Sequence, residues 1–144
     1  MELYHGYQRQ PHYYETDQMG IIHHSNYIRW FEEARVALLE FLNLPYHQLE
    51  NAGLIVPVLA VSCEYKQMIR YGDTVRIDIF VDNYTGTRLD FRYEIHDSSS
   101  NELLTVGTSQ HCFLKKDSGR LVRLQKTQPA FHQIFQDYYL LKIE

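Results

Sequence analysis

A change of hydrophobic period constrains this chain more than any other feature. Between Ser25 and Leu44 apolar residues recur at spacings of three and four: Tyr27, Trp30, Ala34, Ala37 and Phe41, with Phe31 and Leu38 widening the stripe. Arg29, Glu32, Glu33 and Glu40 fall mostly off it, and Arg29 is spaced to pair with Glu33 one turn on. From Leu54 the period is two. Val75, Ile77, Ile79 and Val81 alternate with Arg76, Asp78, Phe80 and Asp82, and Leu89, Phe91, Tyr93 and Ile95 alternate with Asp90, Arg92, Glu94 and His96. Leu104, Val106, Thr108, Gln110, Cys112 and Leu114 continue the alternation more weakly. One-sided alternation broken by short turns predicts antiparallel strands with one covered face. The helix over 25–44 is the element long enough to cover it.

The connecting residues fill in the rest. Turn chemistry falls at Tyr71-Gly72-Asp73, Tyr84-Thr85-Gly86, Ser98-Ser99-Ser100-Asn101 and Asp117-Ser118-Gly119. Residues 54–69 read as one longer, less regular strand. Residues 1–12 read as an edge strand interrupted by Gly6 and Pro11, and residues 15–24 as a loop. Ser25 or Asn26 is suited to cap the long helix, Pro45 to end it, and a short helical turn over 46–51 to follow. Phe131, Ile134, Phe135 and Tyr138 predict a terminal helix over 127–141. The sum is an α+β fold in a single domain over 1–144: one strand, a central helix, then a four- or five-strand antiparallel meander wrapped around it. Such a sheet leaves edges, which pairing in a dimer would cover.

Composition excludes some functions. Hydrophobic residues at 44% and charged residues at 22% suit a packed core. A net charge of −4 argues against nucleic acid as partner. No apolar run approaches the ~20 residues of a membrane span, and the start MELYHGYQRQ lacks the pattern of a signal peptide. Cys63 and Cys112 form no C-x-x-C pair and read as free buried thiols of a cytoplasmic protein. Phosphate-loop and dinucleotide glycine motifs are missing.

The chemistry gathers in one stretch. Asp17, Gly20, His23, His24, Ser25 and Asn26 bring a carboxylate, an imidazole and a helix N-terminus together within about a dozen residues. Each also has a plainer reading. Asp17 suits an Asx-turn, His24 a surface or capping position, and Tyr13 and Tyr14 the core. Asp17, His23 and His24 offer metal-ligand types, but adjacent histidines point apart and no fourth ligand is evident, so no metal is expected.

The run YYETDQMGIIHHSNYIRWFEEAR resembles the 4-hydroxybenzoyl-CoA thioesterase-like branch of the hot-dog fold, and within it the bacterial acyl-CoA thioesterases of the Tol-Pal-associated type. The likeness rests on an aromatic pair, then D-x-x-G-[IV]-[IV]-x-H-x-x-Y, then W-F-E-x-A-R, and extends more loosely through EYKQMIRYGDTVRI. It implies a sheet of five to six strands around one long helix, and hydrolysis of acyl-CoA thioesters without metal or prosthetic group. It sets Asp17 at the catalytic carboxylate, His24 at the assisting histidine and Tyr13 at an aromatic beside them. It also implies that a backbone amide near His24 polarises the thioester carbonyl. Asp17 would either attack that carbonyl or activate water. Relatives are homodimers or homotetramers with sites between subunits. Coenzyme A carries several phosphate charges, so an acidic chain needs local cations; Lys66, Arg70 and Arg88 lead, ahead of Arg92, Lys115, Lys116, Arg120 and Arg123. Two alternatives compete. A hot-dog hydratase or dehydratase would carry D-x-N-x-x-H or H-[FY]-P, and neither occurs. A non-catalytic acyl-CoA-binding protein would need a partner module.

Overall fold

The period-two segments form the strands they predict, and the period-3.6 segment the long helix. The structure, a computed structural model, describes residues 1–141. In order it holds β1 (Tyr7–Arg9), a 3-10 turn (Tyr13–Glu15), α1 (Ser25–Phe41), α2 (Tyr46–Asn51), β2 (Leu54–Ile55), β3 (Val58–Tyr65), β4 (Val75–Tyr84), β5 (Arg88–Asp97), β6 (Leu103–Cys112), β7 (Leu114–Lys115), α3 (Leu124–Thr127) and α4 (Pro129–Leu141). Five strands make one antiparallel sheet in the order β1-β4-β5-β6-β3. Only β4, β5 and β6 follow one another as a meander. The segment expected as one strand over 54–69 is broken at Val56 and Pro57: β2 pairs with β7, while β3 crosses to the far edge beside β6.

α1 ends earlier than Pro45 requires. Asn43 takes φ 60, its N–H donates to the Glu40 carbonyl, and the Leu44 N–H reaches back to Leu39. These paired bonds satisfy the last carbonyls of the helix, and Leu39 and Leu44 bury the accompanying apolar contact. Neither Ser25 nor Asn26 caps the start with its side chain. Arg29 and Glu33 do not pair among the described residues; Glu33 instead accepts from Arg9 Nε at 2.7 Å and from the Tyr7 hydroxyl at 3.0 Å.

The inner face of the sheet carries Val75, Ile77, Ile79 and Val81 on β4, and Leu89, Phe91, Tyr93 and Ile95 on β5, all buried. On β6 the expected face is reversed. Thr105, Gly107, Ser109 and His111 point to the helix, because they pair across from Ile95, Tyr93, Phe91 and Leu89. The reason is room for aromatics. Phe31 of α1 stacks on Tyr93 with centroids 4.2 Å apart, and a Cβ on Gly107 would lie 2.5 Å from that Phe31 ring. The polar inner residues are joined in a line under the helix. Buried Arg35 donates to the Tyr93 hydroxyl at 3.1 Å, Tyr93 meets Ser109 Oγ at 2.6 Å, and Ser109 meets His111 Nε2 at 2.8 Å. At the other end α4 packs Phe135 against Tyr84 and Phe113.

Candidate active site

The loop before α1 is held by one buried carboxylate. Glu15 takes Arg9 at 2.6 and 3.0 Å, the His12 N–H at 2.7 Å and Trp30 Nε1 at 2.9 Å. Burial by itself would raise its pKa; the bonds from Trp30, His12 and Arg9 lower it, so the group stays ionised. Trp30 belongs to α1, so this carboxylate joins the loop to the helix.

Beyond Glu15 the expected loop is a miniature hairpin. Thr16 bridges Ile22, the Asp17 N–H donates to Ile21 at 2.9 Å, and the Gly20 N–H returns to Asp17 at 3.1 Å. Gly20 sits at φ 79, the left-handed conformation that closes a three-residue hairpin loop. The Ile22 N–H then donates to Ile69, and Ile21 bridges Arg70, which brings the segment after β3 alongside. Asp17 Oδ1 accepts from the Met19 N–H at 2.8 Å, an Asx-turn, and from Ile21 at 3.4 Å. The plain and the chemical readings of Asp17 therefore share one side chain: Oδ1 holds the turn, and the carboxylate lines a cleft.

That cleft has a volume of about 570 Å³. One wall is Asp17, Met19, Ile21 and Ile22; His24 and Tyr27 come from the start of α1; Tyr65, Lys66, Met68 and Arg70 close the other side. His23 does not line it: its Nδ1 lies 2.8 Å from Ser25 Oγ and accepts the Ser25 N–H at 3.2 Å, so it does the capping expected of Ser25 or Asn26. The two histidines do not point apart as expected; their rings lie together with centroids 4.2 Å apart and 30° between planes. The Asn26 N–H goes to the His23 carbonyl and the Tyr27 N–H to the His24 carbonyl, while the amide of His24 has no backbone acceptor among the described residues. A helix start with such an N–H beside a carboxylate can stabilise negative charge developing on a bound carbonyl.

Two tyrosines outside the expected site residues shape this cleft, Tyr27 having stood only in the apolar stripe and at the end of the motif. Tyr65 and Tyr27 meet edge to face with centroids 4.8 Å apart, and burial pushes each hydroxyl up to about 12. Both remain donors at neutral pH, and Tyr65 donates to the His24 carbonyl at 3.1 Å. For Tyr27 the closing tyrosine of the motif is the available signal; nothing local marks Tyr65, whose contact with the start of α1 is 41 residues distant.

The candidates divide. Asp17, His24, Lys66 and Arg70 share the cleft. Tyr13 is exposed, edge-on to Tyr71, in a separate cleft with Gln10, Pro11 and Asp73. Arg88 lies at the opposite end of the sheet, paired with Cys112 in register and reaching Gln110 at 3.2 Å and Asp90 at 3.6 Å. The metal-capable trio among the described residues is Asp78, Glu94 and His96 on the outer face, where Arg76 and Arg92 already engage the carboxylates. No described helix is long and apolar enough to cross a membrane.

A five-stranded antiparallel sheet on one long helix, with a carboxylate hairpin folded against the helix start, is the build of a hot-dog thioesterase domain. The chain belongs to the thioesterase-like superfamily, whose sequence model matches residues 11–133. It is similar to YneP of Bacillus subtilis, provisionally assigned as an acyl-CoA thioesterase, with 33% identity over 124 residues, 86% of this chain and 89% of the other. It is 25% identical over 126 residues to the 1,4-dihydroxy-2-naphthoyl-CoA hydrolase of Thermosynechococcus vestitus, covering 87% and 86% of the two. Among solved structures, DHNA-CoA thioesterase from Staphylococcus aureus superposes with a TM-score of 0.88 at 32% identity, over 94% of this chain and 91% of that one.

Proposed function

We propose that this chain hydrolyses an acyl-CoA to free acid and coenzyme A, in the cleft between the Asp17 hairpin and the start of α1. The observation that carries this reading is that Asp17, His24 and the cations Lys66 and Arg70 line one cleft. The thioester oxygen accepts from the His24 amide. Asp17 takes a proton from water, and the hydroxide adds to the carbonyl carbon. Collapse of the oxyanion breaks the C–S bond, and the departing thiolate takes the proton from Asp17. In the alternative course Asp17 attacks directly, the thiolate leaves, and water then hydrolyses the anhydride. The imidazole of His24 orients the water or the thioester. Lys66 and Arg70 face the phosphates of coenzyme A.

The active unit is a homodimer built on β3. That edge strand is exposed along almost its whole length, with Val58, Leu59, Val61 and Tyr65 each about half accessible. A long apolar edge of this kind is a template for pairing. Antiparallel pairing about a two-fold axis joins two sheets and sets the end carrying Arg88 level with the partner's cleft.

Release of free thiol from benzoyl-CoA and hexanoyl-CoA tests the reading and separates aromatic from simple acyl preference, the two classes supported by the relatives and by the 13–35 run. Enzymic release by the wild type, lost in a folded Asp17→Asn variant, is the expected result. No release from either thioester overturns it.

A further inference from the structure

We propose that Asn26 is a positioning residue that strengthens the His24 amide as an oxyanion donor and sets its distance from Asp17; this rests on the thioesterase reading above. Asn26 is buried in the first turn of α1. Its own N–H donates to the His23 carbonyl at 3.0 Å, and its side-chain Nδ2 lies 3.3 Å from the same oxygen. The same Nδ2 lies 3.0 Å from the Glu15 carbonyl, which also accepts the His23 N–H at 2.8 Å. Two carbonyl acceptors within reach require the nitrogen, not the oxygen, of the amide at this position.

The His23 carbonyl and the His24 N–H are the two ends of one planar peptide unit. Donors on its oxygen draw charge along the conjugated amide and make its N–H a stronger donor, the cooperativity of linked hydrogen bonds. The second bond ties the same side chain to Glu15, from which the Asp17 hairpin springs. One buried amide thus touches both the polarising peptide and the root of the carboxylate loop. A capping asparagine would use its oxygen on a helix N–H. Here the nitrogen serves carbonyls, which capping does not explain.

The test compares wild type with Asn26→Ala and Asn26→Ser. Melting establishes folding, and hydrolysis of benzoyl-CoA gives kcat and KM. The infrared carbonyl band of bound dethia-benzoyl-CoA, a ketone with methylene in place of the thioester sulfur, reports polarisation without turnover. The expected result for Asn26→Ala is a fall in kcat of about tenfold, a fraction of the hundredfold or more typical of losing an oxyanion donor outright. KM should stay within about twofold, and the bound carbonyl band should shift back towards its value in water. Asn26→Ser, which keeps one donor, should recover part of both effects and serves alone if the alanine variant does not fold. A wild-type band and kcat in the folded variant, or a rate loss with an unmoved band, overturns the proposal while leaving the thioesterase reading intact. A wild type that neither hydrolyses the thioester nor binds the ketone removes both.

Discussion

The hydroxyl of Tyr65 donates to the carbonyl oxygen of His24 at 3.1 Å, so the edge strand β3 and the first turn of α1 are joined at the mouth of the cleft. Tyr65→Phe keeps the edge-to-face packing on Tyr27 and removes that bond together with the hydroxyl's contact to the Cys63 thiol. The expected outcome is a loss of about 0.5–1.5 kcal/mol in a denaturant melt, with a several-fold lower kcat. Unchanged turnover would show that the spacing of strand and helix is set elsewhere.

Asp17→Asn should separate fold from chemistry. Its amide oxygen can still accept from Met19 and Ile21, so the hairpin and the melting point should be unaltered. Turnover should fall by about 10²–10⁴-fold, the range of a lost general base. A single turnover in ¹⁸O-water, followed by mass spectrometry of the Asp17 peptide, then distinguishes the two courses. Label in Asp17 identifies attack by the carboxylate; label only in the product acid follows both from activated water and from an anhydride opened at its acyl carbon. Hydroxylamine in the same turnover separates these, since only the anhydride course converts Asp17 to a hydroxamate or releases acyl hydroxamate.

Gly107→Val tests the aromatic packing. A Cβ there meets the Phe31 ring at 2.5 Å and the Ser62 carbonyl at 2.8 Å, one of them backbone that does not yield. Overpacking of this kind costs about 1–3 kcal/mol, to be read as a lower denaturant midpoint at unchanged slope. A wild-type midpoint would mean that Phe31 is free to leave its stack on Tyr93.

His111 gives a signed pH dependence. Burial first, then the charge of Arg35, lowers it from 6.5 to about 4. The folded chain therefore holds His111 neutral where the unfolded chain protonates it. Its contribution is fully present above about pH 6.5 and is lost progressively as the pH falls towards 4, amounting to about 3 kcal/mol at most. Melts from pH 7 to pH 4 on wild type and His111→Gln should diverge over that window, the variant showing the shallower loss. Parallel curves would place the acid sensitivity on other groups.

The two arginines should behave differently. Arg70→Ala should raise KM for acyl-CoA with less effect on kcat, and the rise should shrink at high salt. Arg88→Ala should do the same only where β3 pairs two chains. Sedimentation of wild type and of Val61→Arg, which puts a charge on the free edge, links the two measurements: an active monomer would defeat the shared site.

The sequence by itself determined the elements and the reactive stretch. Period alone separated α1 from β4 and β5, because burial on one face repeats every 3.6 residues in a helix and every two in a strand. Asp17, Gly20 and His24 stood close enough along the chain for local turn chemistry to bring them together. Tertiary structure decided the rest, wherever the deciding contact was distant in sequence. The position of β3 beside β6 depends on long-range pairing that leaves no local trace. The face of β6 runs against its apolar alternation because its inner side chains are small or polar, which admits Phe31 and completes the line from Arg35 to His111. Lys66 and Arg70 reach the cleft while Arg88 does not, since a strand of about ten residues carries its two ends roughly 30 Å apart. The Asn26 amide, read as a cap, was turned towards two carbonyls by the hairpin folded over it.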